Sequence, residues 1–490
     1  MTISILLVMC LVLALTPFAL RSARTILTTA FAGSTVLFLL SIAAASPVLL
    51  GASAFENAYW YLDAFAALMV LLIGFIQWTA VMTSMHYLGE EVHEGVVDLA
   101  HVRRYFFLLG LFVLSMLLTV VSNNLGFMWI ALEATTLATT LLVAFYSQKG
   151  SLEAAWKYLI LCSTGISLGL IGLLLTYYAA SSTGLLEGLD ATNWTALMAI
   201  APSLPENFMR IAFVFVLIGY GTKVGLVPMH AWLPDAHSRA PSPISGMLSG
   251  ILLNTALFAI LRFRVLVDGT LGSSDWTGGL LLFFGALSCL IPAAFILLQT
   301  DYKRLLAYSS IEHMGLIVFS AGLGVAGAAA VVIHIVGHAL AKSALFFGAG
   351  NILLRFKSTK FERVGAVART LPYTGGLFLA LVLALLATPP SPLFGSELIL
   401  ISRGIVEHPV LTAVVLLALA VIAAGFVRLV MALLFAPAPA APQVPIEAGE
   451  KWNWAHTAMT LHVVALVGFS AFLMTPSAAP LMSRIIAVIL

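Results

Sequence analysis

Fourteen stretches of roughly twenty mostly apolar residues follow one another along this chain, and no other feature limits its fold so tightly. An α-helix of about 20 apolar residues is what crosses the hydrocarbon core of a bilayer. The stretches fall near 3–20, 29–50, 62–85, 104–122, 124–146, 156–180, 208–230, 241–265, 276–298, 303–323, 327–354, 373–401, 409–434 and 455–475. Each is continuous rather than alternating, which excludes a transmembrane barrel. Only 9% of the 490 residues are charged, against roughly 25% in a soluble domain; a soluble chain this long could not wet its own surface. The expected fold is therefore an all-α, polytopic membrane protein with about fourteen spans. Arg21 and Arg24 follow the first apolar run instead of preceding it, so that run reads as a span and not as a leader peptide.

A net charge of +2 leaves no basic face for nucleic acid. Cys10, Cys162 and Cys289 are scattered and form no CxxC pair, so no disulfide framework, zinc knuckle, haem attachment or iron–sulfur cluster is expected. The chain is thus expected to hold no cofactor, no metal and no redox centre of its own. Gly322, Gly324 and Gly327 spell a Gly-x-Gly-x-x-Gly string. It lies in a turn between two apolar runs rather than after a strand, and is assigned to tight turning. The longest loops are expected at about 85–103, 181–207 and 435–454, the last stiffened by Pro437, Pro439, Pro442 and Pro445. His86, Glu90, Glu91, His93, Glu94, Asp98 and His101 read as a solvated loop.

Basic residues concentrate in cytoplasmic loops. After odd-numbered spans come Arg21, Arg24, Arg103, Arg104, Lys149, Lys157, Arg239, Lys303, Arg304, Arg355, Lys357, Lys360, Arg363, Arg369 and Lys451; after even-numbered spans come only Arg210, Arg262, Arg264 and Arg403. This asymmetry places both termini on the outer side of a cell (inner or plasma) membrane, the periplasm in a Gram-negative source.

Ionisable residues within spans carry the functional signal, because each costs about 2.5–3.5 kcal/mol to insert and such groups mark ion or proton routes. Glu133, Lys223, His334, His338 and Lys342 sit in otherwise apolar runs, and Glu397 follows a proline-rich break. His334, His338 and Lys342 are spaced i, i+4, i+8, so they share one helix face at about 6 Å intervals. That is a row of proton-exchanging groups. HxxxH also fits two zinc ligands, but no acidic or cysteine ligand is adjacent and Lys342 would repel a cation.

Lys223 precedes Pro228, and Glu397 follows Thr388-Pro389-Pro390-Ser391-Pro392. Both helices should break inside the membrane, where irregular backbone survives only if packed in protein or lining a wet cavity. Corresponding breaks in two halves point to inverted repeats: helices four to eight (104–265) and nine to thirteen (276–434), with 1–103 holding helices one to three and 435–490 a linker and helix fourteen. Opposite charge between Glu133 and Lys223 suggests an electrostatic gate on proton loading, against the alternative of a structural ion pair. Glu312 and His313 either extend the relay or pair with neighbours. Asp301, Lys303 and Arg304 read as interfacial anchors. His230, Asp235, His237 and Arg239 form either a proton entrance or a cap on the next helix. Gly165/Gly169 and Gly246/Gly250 suit close helix packing.

The strings GYGTKVGLVPMHAWLPDAHSRAPSPISGMLSG, DYKRLLAYSSIEHMGLI and HALAKSALFFGAGNI closely resemble the antiporter-like, proton-translocating subunits of respiratory complex I and related assemblies. HSRAPSPIS, LLNTALFAILR and SSIEHMG are similar to the component F branch of hydrogenase-4 and formate hydrogenlyase complexes. The resemblance implies a hydrated axis across the midplane. In it Glu133 matches the acidic residue of the fifth helix, and Lys223 the lysine of the broken seventh. His334, His338 and Lys342 match the polar row of the eleventh helix, and Glu397 the terminal ionisable group of the twelfth. It also implies other membrane subunits and a peripheral redox arm as partners. Asn254 stands where many relatives carry lysine and can orient water but cannot hold a proton. The expected function is proton translocation within a redox-driven, hydrogenase-4-like or NADH:quinone oxidoreductase-like complex. The alternatives are a multisubunit cation/proton antiporter and an inorganic-carbon uptake complex without its own redox partner.

Overall fold

A computed structural model of the chain describes residues 2–437 and 449–490. Among them, thirteen helices are long and apolar enough to cross a membrane. They are α1 (Thr2–Ala19), α2 (Ala23–Leu49), α3 (Ala64–His93), α4 (Leu99–Val121), α5 (Leu125–Val143), α6 (Lys149–Ser182), α7a (Glu206–Val224), α8 (Ser242–Leu271), α9 (Asp275–Ile296), α10 (Tyr302–Gly322), α11 (Val325–Phe356), α13 (Pro409–Phe435) and α14 (Trp454–Leu473). The remaining span is split into α12a (Pro372–Leu385) and α12b (Pro392–Glu407). After the break in the seventh span comes the short helix α7b (Trp232–Arg239), and a final amphipathic helix, α15, runs over Ala478–Ile489. The chain is a multi-pass membrane protein. A hairpin pairing Phe55 with Leu62 and Glu56 with Tyr61 leads into α3.

Polar caps set several helix starts. Asp63, Asp98, Asn124, Asp301, Ser391 and Asn453 each accept a backbone N–H from the first turn of the helix they precede. Two of the sequence expectations fail at helix ends. The stretch 85–103 is not a loop: α3 continues through Gly89 to His93 and α4 begins at Leu99, the chain turning between them at Gly95, which is left-handed (φ +71°). Arg262 and Arg264 are not in a loop either. α8 extends to Leu271 and buries both, Arg262 against Asp63 at 2.5 Å and Arg264 against Asp268 at 3.2 Å. Pro439, Pro442 and Pro445 lie outside the described residues.

Packing is graded from rim to centre. The apolar windows of α8 and α11 are fully buried, whereas those of α2 and α14 are 28% buried. α4 packs on α5, α5 on α6, α6 on α7a, and α7a on α8, which returns to α4. The same order recurs as α9 on α10, α10 on α11, α11 on α12a and α12b, and α12b on α13, which returns to α9. In each ring the fourth member is the discontinuous one. Glycine makes the tightest seams: a Cβ on Gly219 would lie 2.4 Å from the Gly169 nitrogen, and one on Gly250 would meet Ser343 and the Ala339 carbonyl. α8 and α11, which join the two rings, therefore touch almost backbone to backbone.

The segment before α14 is pinned by one carboxylate. Glu450 accepts from Tyr373 N, Thr374 N and Thr374 Oγ1, and its Oε1 lies 2.8 Å from His456 Nε2. Asn453 N donates to His456 Nδ1, so Nε2 carries the proton that goes to Glu450. Burial resists ionisation of Glu450, but the His456 and Thr374 donors outweigh it and hold the carboxyl below the usual carboxylate range. A depressed folded-state value stabilises the clamp above the ordinary value and loses it as pH falls through the lowered one. Hydrogen–deuterium exchange at 449–456 should therefore stay slow near neutral pH and accelerate on acidification below the carboxylate range. Glu450→Gln should flatten that pH dependence.

Candidate proton-relay site

The first ring holds Glu133 and Lys223 without direct contact. α7a ends at Gly225, which turns left-handed (φ +83°), and leaves Lys223 in its last turn with no exposed surface. Its Nζ donates to Thr136 Oγ1 at 2.8 Å and to Tyr158 OH at 2.6 Å. Thr136, one turn along α5 from Glu133, in turn donates to Glu133 Oε2 at 3.2 Å, and Ser163 of α6 donates to Oε1 at 2.7 Å. One hydroxyl thus stands between ammonium and carboxylate. Tyr158 OH is also 2.7 Å from Thr139 Oγ1, so its oxygen is shared by two partners.

The second ring carries a longer polar file between α10, α11 and α12b. Lys342 donates to the Leu306 carbonyl at 2.8 Å and to Ser309 Oγ. His338 is fully buried with neither ring nitrogen partnered; its ring centroid lies 5.4 Å from that of His313. His313 Nδ1 and His334 Nε2 are 3.0 Å apart, and His334 Nδ1 is 2.9 Å from Ser396 Oγ. Ser396 spends its own proton on the Leu393 carbonyl. In the neutral file His334 must therefore donate from Nδ1 and accept at Nε2, and His313 must donate from Nδ1. The free lone pair of His313, on Nε2, then faces Glu312 Oε2 at 3.5 Å. Both Glu312 carboxylate oxygens are buried without a hydrogen-bond partner. Glu397, partly exposed, follows Ser396 on α12b and lies within electrostatic range of Glu312.

Two of the residues expected from sequence stay apart from these files. Asn254 Nδ2 donates to the Gly250 carbonyl of its own helix, where α8 widens into a π-helical turn (Leu248–Leu252), and its Oδ1 has no partner. His230 is partly exposed within the break. His237, which sequence reasoning left between entrance and cap, sits between the rings with no exposure and no partner on either nitrogen. It stacks between Trp232 and Phe346, at 6.3 and 5.4 Å between centroids, within electrostatic range of Lys342 and His338. Trp232 in turn packs at a tilt against Tyr158, with 4.7 Å between centroids. Lys303 is no interfacial anchor: it is 1% exposed and donates to the Ala240 carbonyl. Asp301 caps α10, and Arg304 pairs with Asp235 at 2.9 Å. Among the described residues no three His, Cys, Asp or Glu side chains are grouped to hold a metal ion.

Residues 122–426, which take in every position of both files, match the family described as NADH:quinone oxidoreductase/Mrp antiporter, TM. The chain is 40% identical over 358 residues to a hydrogenase-4 component F homolog from Methylacidiphilum infernorum, covering 73% of this chain and 75% of that protein. It is 31% identical to hydrogenase-4 component B of Escherichia coli over 69% of this chain, spanning about half (49%) of that longer protein. In fold it is similar to a chain of the membrane-bound sulfane sulfur reductase, an archaeal respiratory membrane complex, with a TM-score of 0.83 over 100% of this chain and 99% of that one at 22% identity. The match through both rings and both breaks means that this chain belongs to the NADH:quinone oxidoreductase/Mrp antiporter transmembrane family, as an antiporter-like subunit of the hydrogenase and complex I type.

Proposed function

We propose that the chain translocates protons within a redox-driven membrane complex, using the two polar files as half-relays. The observation that carries this reading is the clustering of buried proton-holding groups beside the discontinuous helix of each ring: Lys223, Thr136 and Glu133 are joined by hydrogen bonds in the first, and His313, His334 and Ser396 in the second, with Lys342 and His338 buried alongside. In the first ring Thr136 can accept a proton from Lys223 while passing its own to Glu133, so the hydroxyl both separates and connects the pair. In the second, a proton delivered to His313 Nε2 releases one from Nδ1 to His334, which releases one toward Ser396 and Glu397. Between the rings the aromatic pair Tyr158–Trp232 interrupts any hydrogen-bonded path from Lys223 to His237. The halves are then coupled by field: a charge gained or lost at Lys342 changes the affinity of His237 and His338 for a proton.

In this reading the relay residues are Glu133, Lys223, Lys342, His338, His313, His334, Glu312 and Glu397, with His237 at the junction. The redox chemistry belongs to partner subunits, including a peripheral arm, as hydrogenase-4 and NADH:quinone oxidoreductase relatives imply. The two helix rings act as repeats 104–265 and 276–434, both termini face the outer side, and the membrane is the cell's inner (plasma) membrane. The test is proton flux into liposomes holding the purified complex, driven by a valinomycin-set potassium diffusion potential and read by trapped pyranine. Flux above that of protein-free liposomes is expected, and its absence overturns the reading. Flux that requires external sodium would support instead the cation/proton antiporter reading that the family description also accommodates.

A further inference from the structure

The two files take in most of the buried ionisable residues near the middle of the spans, His462 of α14 being held apart by Thr79 and the Leu340 carbonyl, but one carboxylate near the basic-loop face belongs to neither. Glu91 lies in the last turn of α3, is 6% exposed, and has Oε2 buried without a hydrogen bond of normal geometry, the Tyr87 hydroxyl adjoining the carboxyl. A buried carboxylate oxygen left so needs a reason. It lines a cavity of about 410 Å³ that also takes in Tyr87, Tyr146, Glu94, Arg239 and Lys357. The mouth is marked by a Glu94–Lys357 ion pair at 2.6 Å, both partners more than one-third exposed. Water therefore reaches the site from the face that bears Arg239 and Lys357.

Inward from Glu91 runs a short file of hydroxyls. Tyr146 OH donates to Glu91 Oε1 at 2.6 Å, and Tyr87 OH is 3.0 Å from Tyr146 OH. Tyr87 and Ser242, the first residue of α8, converge on Gly350 of α11, where a Cβ would meet Ser242 Cβ at 2.9 Å and Tyr87 Cδ2 at 3.4 Å. Ser242 Oγ adjoins the Tyr87 hydroxyl without forming a hydrogen bond of normal geometry, and it has no other partner. Ser242 is five residues from His237, at the junction of the rings.

From this geometry we infer that Glu91 is a proton-collecting carboxylate at the basic-loop mouth, passing protons through Tyr146 and Tyr87 to Ser242 and the start of α8. The inference rests on the proton-translocating reading above. Groups that face Glu91 set its behaviour. Lys357 of α11, Lys303 of α10 and Glu94 lie within electrostatic range of it. Tyr105 of α4 is also within electrostatic range, and Arg239 of α7b lines the cavity. Loading from water puts a proton on Oε2 while Tyr146 still donates to Oε1; unloading inward follows when the carboxyl rotates to donate to Tyr146 and the Tyr146 and Tyr87 hydroxyls turn to donate toward Ser242.

The test uses the whole complex in liposomes with the potential-driven pyranine assay. Glu91→Gln preserves an acceptor for Tyr146 but cannot titrate; Tyr87→Phe leaves the Glu91–Tyr146 bond intact and removes the inner hydroxyl. Both should lower flux about tenfold at mildly alkaline external pH, and Glu91→Gln should recover most of it when the external side is acidified, because collection matters most when protons are scarce. Wild-type flux in both variants at every pH, with Lys223→Ala at background, overturns the intake role and leaves the relay standing. Wild-type flux in Lys223→Ala as well overturns both. If Glu91→Gln fails to assemble, Tyr87→Phe decides alone.

Discussion

Lys223→Ala is expected to reduce proton flux to the level of protein-free liposomes while the chain still inserts and co-purifies with its partners. The fold should survive because the substitution orphans nothing. Thr136 keeps its bond to Glu133, and Tyr158 keeps its bond to Thr139. The cost is a cavity beside the α5–α6–α7a seam, about 2–5 kcal/mol for losing a long buried side chain, offset by no longer burying an ammonium. The functional loss has no such offset. Thr136 and Tyr158 can pass a proton on but cannot store one at neutral pH, so without the ammonium nothing in the first ring holds the charge that Glu133 exchanges with. Pyranine flux and co-purification measured on the same preparation separate the two effects. Flux within a few-fold of wild type would mean that the Lys223–Thr136–Glu133 file is structural.

Some of this was open to view in the sequence, for a physical reason. A charge inside an apolar run is conspicuous because the run itself reports burial, so Glu133, Lys223, His334, His338 and Lys342 declare themselves. Proline declares the breaks: the discontinuities at 225–231 and 386–391 fall beside Pro228 and within the Thr388–Pro392 string. Hydropathy says nothing, however, about which side of a crowded, charged helix end faces inward. Glu91 lies among His86, Glu90, His93 and Glu94, a composition that matches a solvated loop, yet α3 runs on and turns this one carboxylate toward Tyr146. Arg262 and Arg264 misled in the opposite way. The apolar run weakens there, but Asp63 and Asp268 compensate their charges and the helix continues. His237 and Lys303 became legible only once α7b was folded back against α10 and α11, since their burial comes from distant segments.

His338→Phe separates relay from scaffold by moving two measurements in opposite directions. The imidazole is fully buried and neither nitrogen has a partner, so as a packing element it is worse than the hydrocarbon ring that would replace it. Each buried, unpartnered polar atom costs roughly 1–3 kcal/mol, and phenylalanine removes two of them in a comparable shape, with the added volume small enough that the neighbouring His313 ring at 5.4 Å sets the limit. Thermal stability of the purified complex should therefore hold or rise. Flux should fall to background, because His338 is the group between Lys342 and the His313–His334 pair, and a phenyl ring can neither take a proton from one nor offer one to the other. His338→Gln, which keeps polarity without titration, should conduct no better than phenylalanine. If His338→Phe lowers stability and leaves flux untouched, the imidazole is a satisfied core residue after all, and the second file must run from Lys342 through Ser309 and Glu312 without it.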